Sequence, residues 1–244
     1  MSSPLPATEI VFLPGFDGAA ELRAEFVQAL ARHHPARAIG YPNETLGSLN
    51  GYARHAASRV RPESRPILIA ESFSGLVAAR WAAQDSHVAA LVLCGAFARA
   101  PVPWAAWGAS MPAMAQFVAA NLLNPISFAL RDPARRRWSD ALSAALGSLR
   151  QDVIAERLHL IASENVSEEL RGLRIPVVVA HFDEDLVIGP DARSQLEAVC
   201  HNAEVLRIPG PHFAIETRPR ESADAIAPRL AALFGKPLPP TGTR

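Results

Sequence analysis

The sequence predicts an α/β protein built on one doubly wound, mostly parallel sheet of about six strands. Its 244 residues are a length at which an α/β fold commonly forms a single domain. Short apolar runs that end in glycine or another small residue alternate with longer alanine-rich segments of helical period, which is the pattern of strands and helices in a parallel sheet. Hydrophobic residues make up 49% of the chain, enough for a large core.

Six short runs rich in Ile, Val and Leu are predicted to be strands that are buried on both faces. They are residues 9–13, 36–40, 66–70, 88–94, 176–181 and 204–208. Five segments between them carry apolar residues at spacings of three and four and are predicted to be amphipathic helices. These are residues 20–32, 49–61, 75–84, 191–199 and 219–234. Strands and helices that alternate in this way form a right-handed, doubly wound sheet.

The stretch 98–172 interrupts this alternation, because it contains no convincing strand and its start is rich in proline and tryptophan. We therefore predict that 1–97 and 173–235 form the core domain and that 98–172 is a helical insertion in it. Since the insertion separates the fourth and fifth strands, it should lie beyond the C-terminal edge of the sheet, where α/β proteins bind ligands. The proline-rich tail 236–244 is expected to be disordered.

Composition and charge exclude several classes of function. Basic and acidic residues balance at 24 each, so no net charge attracts a polyanion, and nucleic acid is not an expected partner. Cys94 and Cys200 lie far apart and form neither a disulfide framework nor a Cys-x-x-Cys metal pair. The N-terminal residues lack a leader pattern, and the longest apolar run, 88–98, is much shorter than the about 20 residues of a membrane span. We expect a cytoplasmic protein that binds no membrane.

The most informative motif is Ala70-Glu-Ser-Phe-Ser-Gly75, where a buried strand runs into a helix. Ala70 and Ser74, both small, lie two positions before and after Ser72. Small neighbours permit a very tight turn, which raises the central hydroxyl above the sheet and next to helix N–H groups that can stabilise an oxyanion. Ser72 is therefore a candidate nucleophile. The pattern also fits a serine that only caps the helix, and Ser74 is a second serine in the same turn.

A glycine-rich turn, Leu13-Pro-Gly-Phe-Asp-Gly18, follows the first predicted strand. Gly15 would let the Phe16 N–H point into a site as a second oxyanion donor beside the Phe73 N–H. The same residues also fit an ordinary connection between a strand and a helix.

Two further loops that follow predicted strands hold residues suited to catalysis. Asp183, Glu184 and Asp185 come after the fifth strand and could include a catalytic acid, line a solvated loop or bind a hard metal ion. His212 lies in a rigid loop, Gly210-Pro-His-Phe213, after the last strand.

Taken together, these motifs resemble the α/β-hydrolase superfamily. Segments 13–18, 70–75, 185–187 and 210–213 are similar to its oxyanion loop, nucleophile elbow, acid loop and histidine loop, and Ser, Asp and His occur in the order that this fold uses. The resemblance covers nearly the whole chain. It implies that the helical insertion is the family's cap and that the usual N-terminal hairpin is missing.

The resemblance also implies roles for individual residues. Ser72 would be the nucleophile, His212 the general base and then acid, and Asp185 the carboxylate that orients the imidazole, with Phe16 and Phe73 as oxyanion donors. Asp183 is the alternative acid. Asp185 is preferred because Asp-Leu-Val-Ile resembles the family's Asp-x-x-Val pattern. The resemblance implies no metal ion and no cofactor.

The expected activity is hydrolysis of a carboxylic ester with a small or medium apolar acyl group, through an acyl-enzyme on Ser72. A thioesterase and an esterase for methyl esters linked to a carrier protein are alternatives, because fold does not decide among such substrates. A catalytically slow ligand-binding protein on the same scaffold is an alternative of another class.

The predicted cap offers two hypotheses about substrates. Four large residues recur at near-helical spacing and could line an acyl pocket or only pack against the core. They are Trp104, Trp107, Met111 and Met114. Four arginines form a basic cluster that could dock an acidic carrier protein or be a solvated helix face. They are Arg131, Arg135, Arg136 and Arg137.

Overall fold

A computed structural model describes residues 8–101 and 133–234 of the chain. In these residues six strands form one sheet in the order β2-β1-β3-β4-β5-β6, and all neighbouring strands are parallel. The strands are β1 (Thr8–Leu13), β2 (Ala36–Ala38), β3 (Arg65–Glu71), β4 (Ala90–Cys94), β5 (Val177–Phe182) and β6 (Glu204–Ile208). The predicted α/β fold class is thereby confirmed.

Helices cover both faces of the sheet. They are α1 (Ala24–Leu30), α2 (Leu49–Ala57), α3 (Ser74–Gln84), α4 (Pro133–Ser148), α5 (Gln151–Ser163), α6 (Ser167–Gly172), α7 (Pro190–Val199), α8 (Ala214–Thr217) and α9 (Pro219–Phe234). Alternate side chains of a strand point to opposite faces. In β1, Val11 and Leu13 pack in the cluster that includes α2, α3 and α7, whereas Ile10 and Phe12 pack in the cluster that includes α1 and α9.

The prediction that every strand is buried on both faces is wrong for the two edge strands. All three residues of β2 are only half-buried. In β6, Glu204, Val205 and Arg207 are exposed, and Val205 keeps 43% of its surface. An edge strand has a neighbour on one side only, so fewer side chains cover it.

One predicted helix is broken in two. Residues 20–32 form a short 3₁₀ helix, Ala20–Arg23, followed by α1. Arg23 leaves the helical conformation, with φ −106° and ψ 11°, and its side chain is fully buried. The break therefore coincides with a buried cation, which periodicity alone does not predict.

The described part of the predicted insertion consists of α4, α5 and α6. The proposed pocket residues Trp104, Trp107, Met111 and Met114, the side chains of Arg131, Arg135 and Arg136, and the predicted tail 236–244 lie outside the described residues. Arg137 is exposed on α4. Within 8–101 and 133–234, no helix has both the length and the apolar character needed to cross a bilayer.

Candidate active site

The turn between β3 and α3 is a strained elbow centred on Ser72. With φ 50°, Ser72 is the only non-glycine residue of the described chain that has a positive φ, a conformation that L residues adopt rarely. Its N–H donates to the Cys94 carbonyl at 2.9 Å, which ties the elbow to β4. A Cβ atom on Gly75 would lie 2.6 Å from the Ala96 Cβ, so only glycine permits this approach. Fold and packing together therefore hold the half-buried Ser72 in this strained turn.

The structure brings Ser72, His212 and Asp185 into one hydrogen-bonded chain. His212 Nε2 lies 3.1 Å from Ser72 Oγ, and His212 Nδ1 lies 2.8 Å from Asp185 Oδ2. Because an ionised carboxylate can only accept, Nδ1 carries the proton in the neutral imidazole and Nε2 is free to accept from the serine hydroxyl. This is the arrangement that a general base needs to activate a nucleophile.

The acid loop selects Asp185 rather than Asp183 as the partner of His212. Asp185 is buried, and its Oδ1 accepts the N–H groups of Val187 and Ile188, both at 2.8 Å. These bonds fix the carboxylate with Oδ2 directed at His212. Asp183 and Glu184 are exposed, and the described residues contain no cluster of His, Cys, Asp and Glu that could hold a metal ion.

Ser74, the second serine of the elbow, is not hydrogen-bonded to His212 and instead binds the loop after β1. It is fully buried, its hydroxyl donates to the Pro14 carbonyl, and its oxygen lies 2.6 Å from the Tyr41 hydroxyl. The Ser74 hydroxyl therefore fastens the loop after β1 to the elbow. Glycine at this position would lose that bond.

The oxyanion loop, residues 13–18, is held at two further points. The Gly15 N–H donates to the Glu71 carboxylate at 3.2 Å, and the Phe16 carbonyl accepts from Arg157 Nη1 at 2.7 Å. The N–H groups of Phe16 and Phe73 have no hydrogen-bond acceptor among the residues described. Within the described residues, both predicted oxyanion donors are therefore available to an oxyanion, while the backbone around them is held by other bonds.

Arg157 and Glu156 fasten the predicted cap to the core. The Arg157 side chain is fully buried, donates to the Tyr52 hydroxyl at 3.1 Å, and packs with its guanidinium 5.6 Å from the centre of the Tyr41 ring. Glu156 accepts the Leu46 N–H at 2.8 Å. The buried contacts of Arg157 and the half-buried contact of Glu156 make α5 a fixed wall of the site.

A cleft opens above Ser72. Its base includes Phe16, Ser72 and His212. Its walls are largely apolar and combine core residues with residues of α4 and α5, namely Phe97, Leu142, Leu146, Leu158, Ile161, Val187, Ile188 and Phe213. Helix α4 is anchored to the histidine loop, since the rings of Trp138 and Phe213 lie 4.9 Å apart.

Comparison with known proteins identifies the family. A family model for the serine aminopeptidases S33 matches residues 43–208, which is more than half of the chain and includes Ser72 and Asp185. The chain belongs to this family of α/β-hydrolases. The predicted resemblance is thereby confirmed, and the protein is a hydrolase. No match was found among curated protein sequences.

Solved structures share the fold of this S33-family hydrolase at low identity. An enol-lactonase from Burkholderia xenovorans LB400 aligns with TM-score 0.73 and 17% identity over 94% of this chain and 92% of its own. A hydrolase from Pseudomonas aeruginosa PA01 aligns with TM-score 0.73 and 18% identity over 97% and 92%. An esterase from Rhodococcus sp. ECU1013 aligns with TM-score 0.67 and 23% identity over 93% and 91%.

The environment of His212 predicts the pH dependence of this hydrolase. Burial disfavours the imidazolium, but the charge of Asp185 and its hydrogen bond outweigh burial, so the pKa of His212 is raised above 6.5. Glu71 also raises this pKa, and Arg23 opposes it. A general base must be neutral, so kcat/KM should fall as pH drops through a midpoint above 6.5. A profile of kcat/KM from pH 5 to 9 checks this. A midpoint below 6.5, or activity that stays flat down to pH 5, would contradict the role of His212.

The sequence motifs predict no role for several residues that shape this site. Gly95 has φ 52°, and a Cβ there would lie 3.2 Å from His212 Cε1. Arg23, Asp17 and Glu71 line the cleft beside Ser72. Of these, only Glu71 could have been noticed, because a charged residue at the end of a buried strand must find a buried partner.

Proposed function

We propose that the protein is a serine hydrolase that cleaves carboxylic esters with a small or medium apolar acyl group. One observation carries the proposal: Ser72, His212 and Asp185 form a hydrogen-bonded chain at the base of a largely apolar cleft. An esterase and a lactonase among proteins of the same fold support ester chemistry.

The first half of the reaction forms an acyl-enzyme. Ser72 Oγ attacks the ester carbonyl carbon while its proton passes to His212 Nε2, and Asp185 stabilises the resulting imidazolium. The carbonyl oxygen becomes an oxyanion that accepts the N–H groups of Phe16 and Phe73. When the carbon–oxygen bond to the alcohol breaks, His212 returns the proton to the leaving alkoxide.

The second half releases the acid. Water attacks the acyl carbon and gives its proton to His212, and the same two N–H groups stabilise the second oxyanion. The bond to Ser72 Oγ then breaks, and His212 returns the proton to the serine. Every proton transfer runs through His212 Nε2, which lies 3.1 Å from Ser72 Oγ.

The cleft favours an ester over a peptide N-terminus, although the family model bears the name of an aminopeptidase. An α-ammonium group needs a free carboxylate nearby. Among the described residues of the wall, Asp17 and Glu71 are both bound to Arg23. We therefore expect p-nitrophenyl esters to be hydrolysed much faster than amino-acid p-nitroanilides.

A series of p-nitrophenyl esters from acetate to laurate tests the proposal and measures the acyl pocket. The S33-family enzyme should hydrolyse this series with an optimum at a short or medium chain. Faster cleavage of amino-acid p-nitroanilides would overturn the ester assignment. Tight binding of apolar acids without hydrolysis of any ester would instead favour a ligand-binding protein on this scaffold.

A wall variant should shift that optimum. Leu146 lines the cleft from α4, and Leu146→Trp fills the space of about two methylene groups, worth about 1.6 kcal/mol of apolar contact. We expect kcat/KM for long esters to fall about tenfold, with acetate little affected. Val205→Trp is the control, because Val205 is exposed on β6 and does not line the cleft. Equal effects of both variants, or a uniform loss along the series, would show that Leu146 does not bound the acyl pocket.

A further inference from the structure

A single buried guanidinium forms ion pairs with three carboxylates around the candidate site, one on the oxyanion loop, one at the end of β3 and one in α8. Arg23 Nη1 lies 2.6 Å from Asp17 Oδ1, its Nε lies 2.9 Å from Glu71 Oε2, and its Nη2 lies 2.7 Å from Glu216 Oε1. All four side chains keep at most 4% of their surface exposed. We call these four residues the Arg23 cluster.

Each carboxylate of the Arg23 cluster sits on backbone that also carries a proposed catalytic group. Asp17 directly follows the oxyanion donor Phe16. Glu71 directly precedes Ser72, and Glu216 lies in α8, four residues after His212. Displacing the guanidinium would therefore weaken the connections among the oxyanion loop, the elbow and the histidine loop, although the bonds of Ser74 to Pro14 and of Gly15 to Glu71 would remain.

We propose that Arg23 is a positioning residue that holds the oxyanion loop, Ser72 and His212 in register for catalysis. The inference rests on the proposed function, since it concerns the same reaction. Arg23 touches none of the reacting atoms in this scheme and acts through the three segments that it joins.

The geometry requires arginine in particular. Arg23 presents Nη1 and Nη2 to both oxygens of Asp17, at 2.6 and 2.9 Å, while Nε and Nη2 reach both oxygens of Glu71, at 2.9 and 3.2 Å. A planar fork with five N–H donors can make such paired contacts in two directions. A lysine ammonium keeps the charge, but its three N–H donors are on a single nitrogen atom. It therefore cannot bridge three carboxylates in this geometry.

The pKa values of Glu216 and Arg23 reflect strong electrostatic interactions within the Arg23 cluster. Burial raises the pKa of Glu216, Arg23 opposes the rise, and the neighbouring Glu71 adds to it, so the pKa lies well above the ordinary value of 4.5. Burial lowers the pKa of Arg23, but the nearby Asp17, Glu216 and Glu71 outweigh this and raise it well above its ordinary value, so the guanidinium stays charged.

The test compares Arg23→Lys with Arg80→Lys on the p-nitrophenyl ester series. Arg80 is a matched control in α3, because its side chain also bridges two carboxylates, Glu164 at 3.0 Å and Glu169 at 2.9 Å, but does not line the cleft. We expect Arg23→Lys to lose about 100-fold in kcat with KM within about threefold, since small displacements of catalytic groups cost rates of this size. Arg80→Lys should keep the wild-type kcat.

A pH profile distinguishes two ways in which Arg23 could affect the rate: by holding the catalytic groups in position or by changing the pKa of His212. The groups that set the pKa of His212 are Asp185, Glu71 and Arg23, and lysine at position 23 retains the positive charge. The acid limb of kcat/KM should therefore keep its midpoint in Arg23→Lys while kcat falls. A shifted midpoint that accounts for the lost rate would overturn the positioning role.

Asp17→Asn keeps the proposal testable if Arg23→Lys does not fold. It removes one of three carboxylates, leaves Arg23 paired with Glu71 and Glu216, and weakens only the tie to the oxyanion loop. We expect kcat to fall about tenfold. This is less than the loss of about 100- to 1,000-fold that follows removal of one oxyanion donor, because here the donor is only less well positioned. If the folded variants, Arg23→Lys or Asp17→Asn, match Arg80→Lys within about threefold, the inference fails while the proposed function stands. A wild type that hydrolyses no ester overturns both.

Discussion

Ser72→Ala should lower kcat for ester hydrolysis by about 10⁵- to 10⁶-fold, with the fold unchanged. Without the hydroxyl no acyl-enzyme can form, and only the oxyanion donors and the apolar cleft remain to assist a direct attack by water. The measurement is the rate on the best p-nitrophenyl ester, with circular dichroism to compare the folds.

Ser64→Ala is the matched control for this variant. Ser64 is a buried serine whose hydroxyl donates to Glu9 at 3.0 Å, but it lies at the other end of β3, just before the strand begins. Its loss should affect stability and leave kcat nearly unchanged. If Ser72→Ala keeps more than about 1% of the wild-type rate, Ser72 is not the nucleophile.

Asp185→Asn should lower kcat by about 10⁴-fold, because an amide cannot hold the imidazole in the tautomer that leaves Nε2 free. Asp183→Asn is the control, since Asp183 is an exposed carboxylate two residues away in the same loop. It should keep the wild-type rate within about twofold. A larger loss in Asp183→Asn than in Asp185→Asn would move the acid to position 183.

The residual activity of Asp185→Asn should also show a changed pH profile. The charge and hydrogen bond of Asp185 raise the pKa of His212 against the effect of burial. Without them burial prevails, so the acid limb of kcat/KM should move to lower pH than in the wild type. An unchanged midpoint would mean that His212 is not the group that titrates.

The strands and the three loops of the candidate site could be predicted because their signals are local. Buried parallel strands are continuous apolar runs, and the small residues around Ser72 follow from the tight turn that it occupies. The choice of Asp185 over Asp183 came from the resemblance, and the structure adds a physical reason. The Asp185 carboxylate is buried and fixed by the N–H groups of Val187 and Ile188.

The Arg23 cluster could not be predicted, because its partners meet only in three dimensions. Asp17 lies in the loop after β1, Glu71 at the end of β3 and Glu216 in α8, and these segments are far apart in the chain. Arg23 itself falls in a segment whose period indicates a continuous helix, and the structure breaks that helix at this residue. Periodicity reports which face of a helix is apolar, but it does not show that an arginine is buried against carboxylates from elsewhere.

Covalent labelling of Ser72 tests the central claim most directly. The wild type and Ser72→Ala are incubated with a p-nitrophenyl alkylphosphonate, which phosphonylates an activated serine, and adducts are located by mass spectrometry of peptides. The proposed chemistry predicts one p-nitrophenol released per wild-type chain, one adduct on Ser72 and none in Ser72→Ala. Ester hydrolysis by the wild type together with an adduct on Ser74 or any other residue, or equal labelling of both proteins, would contradict it.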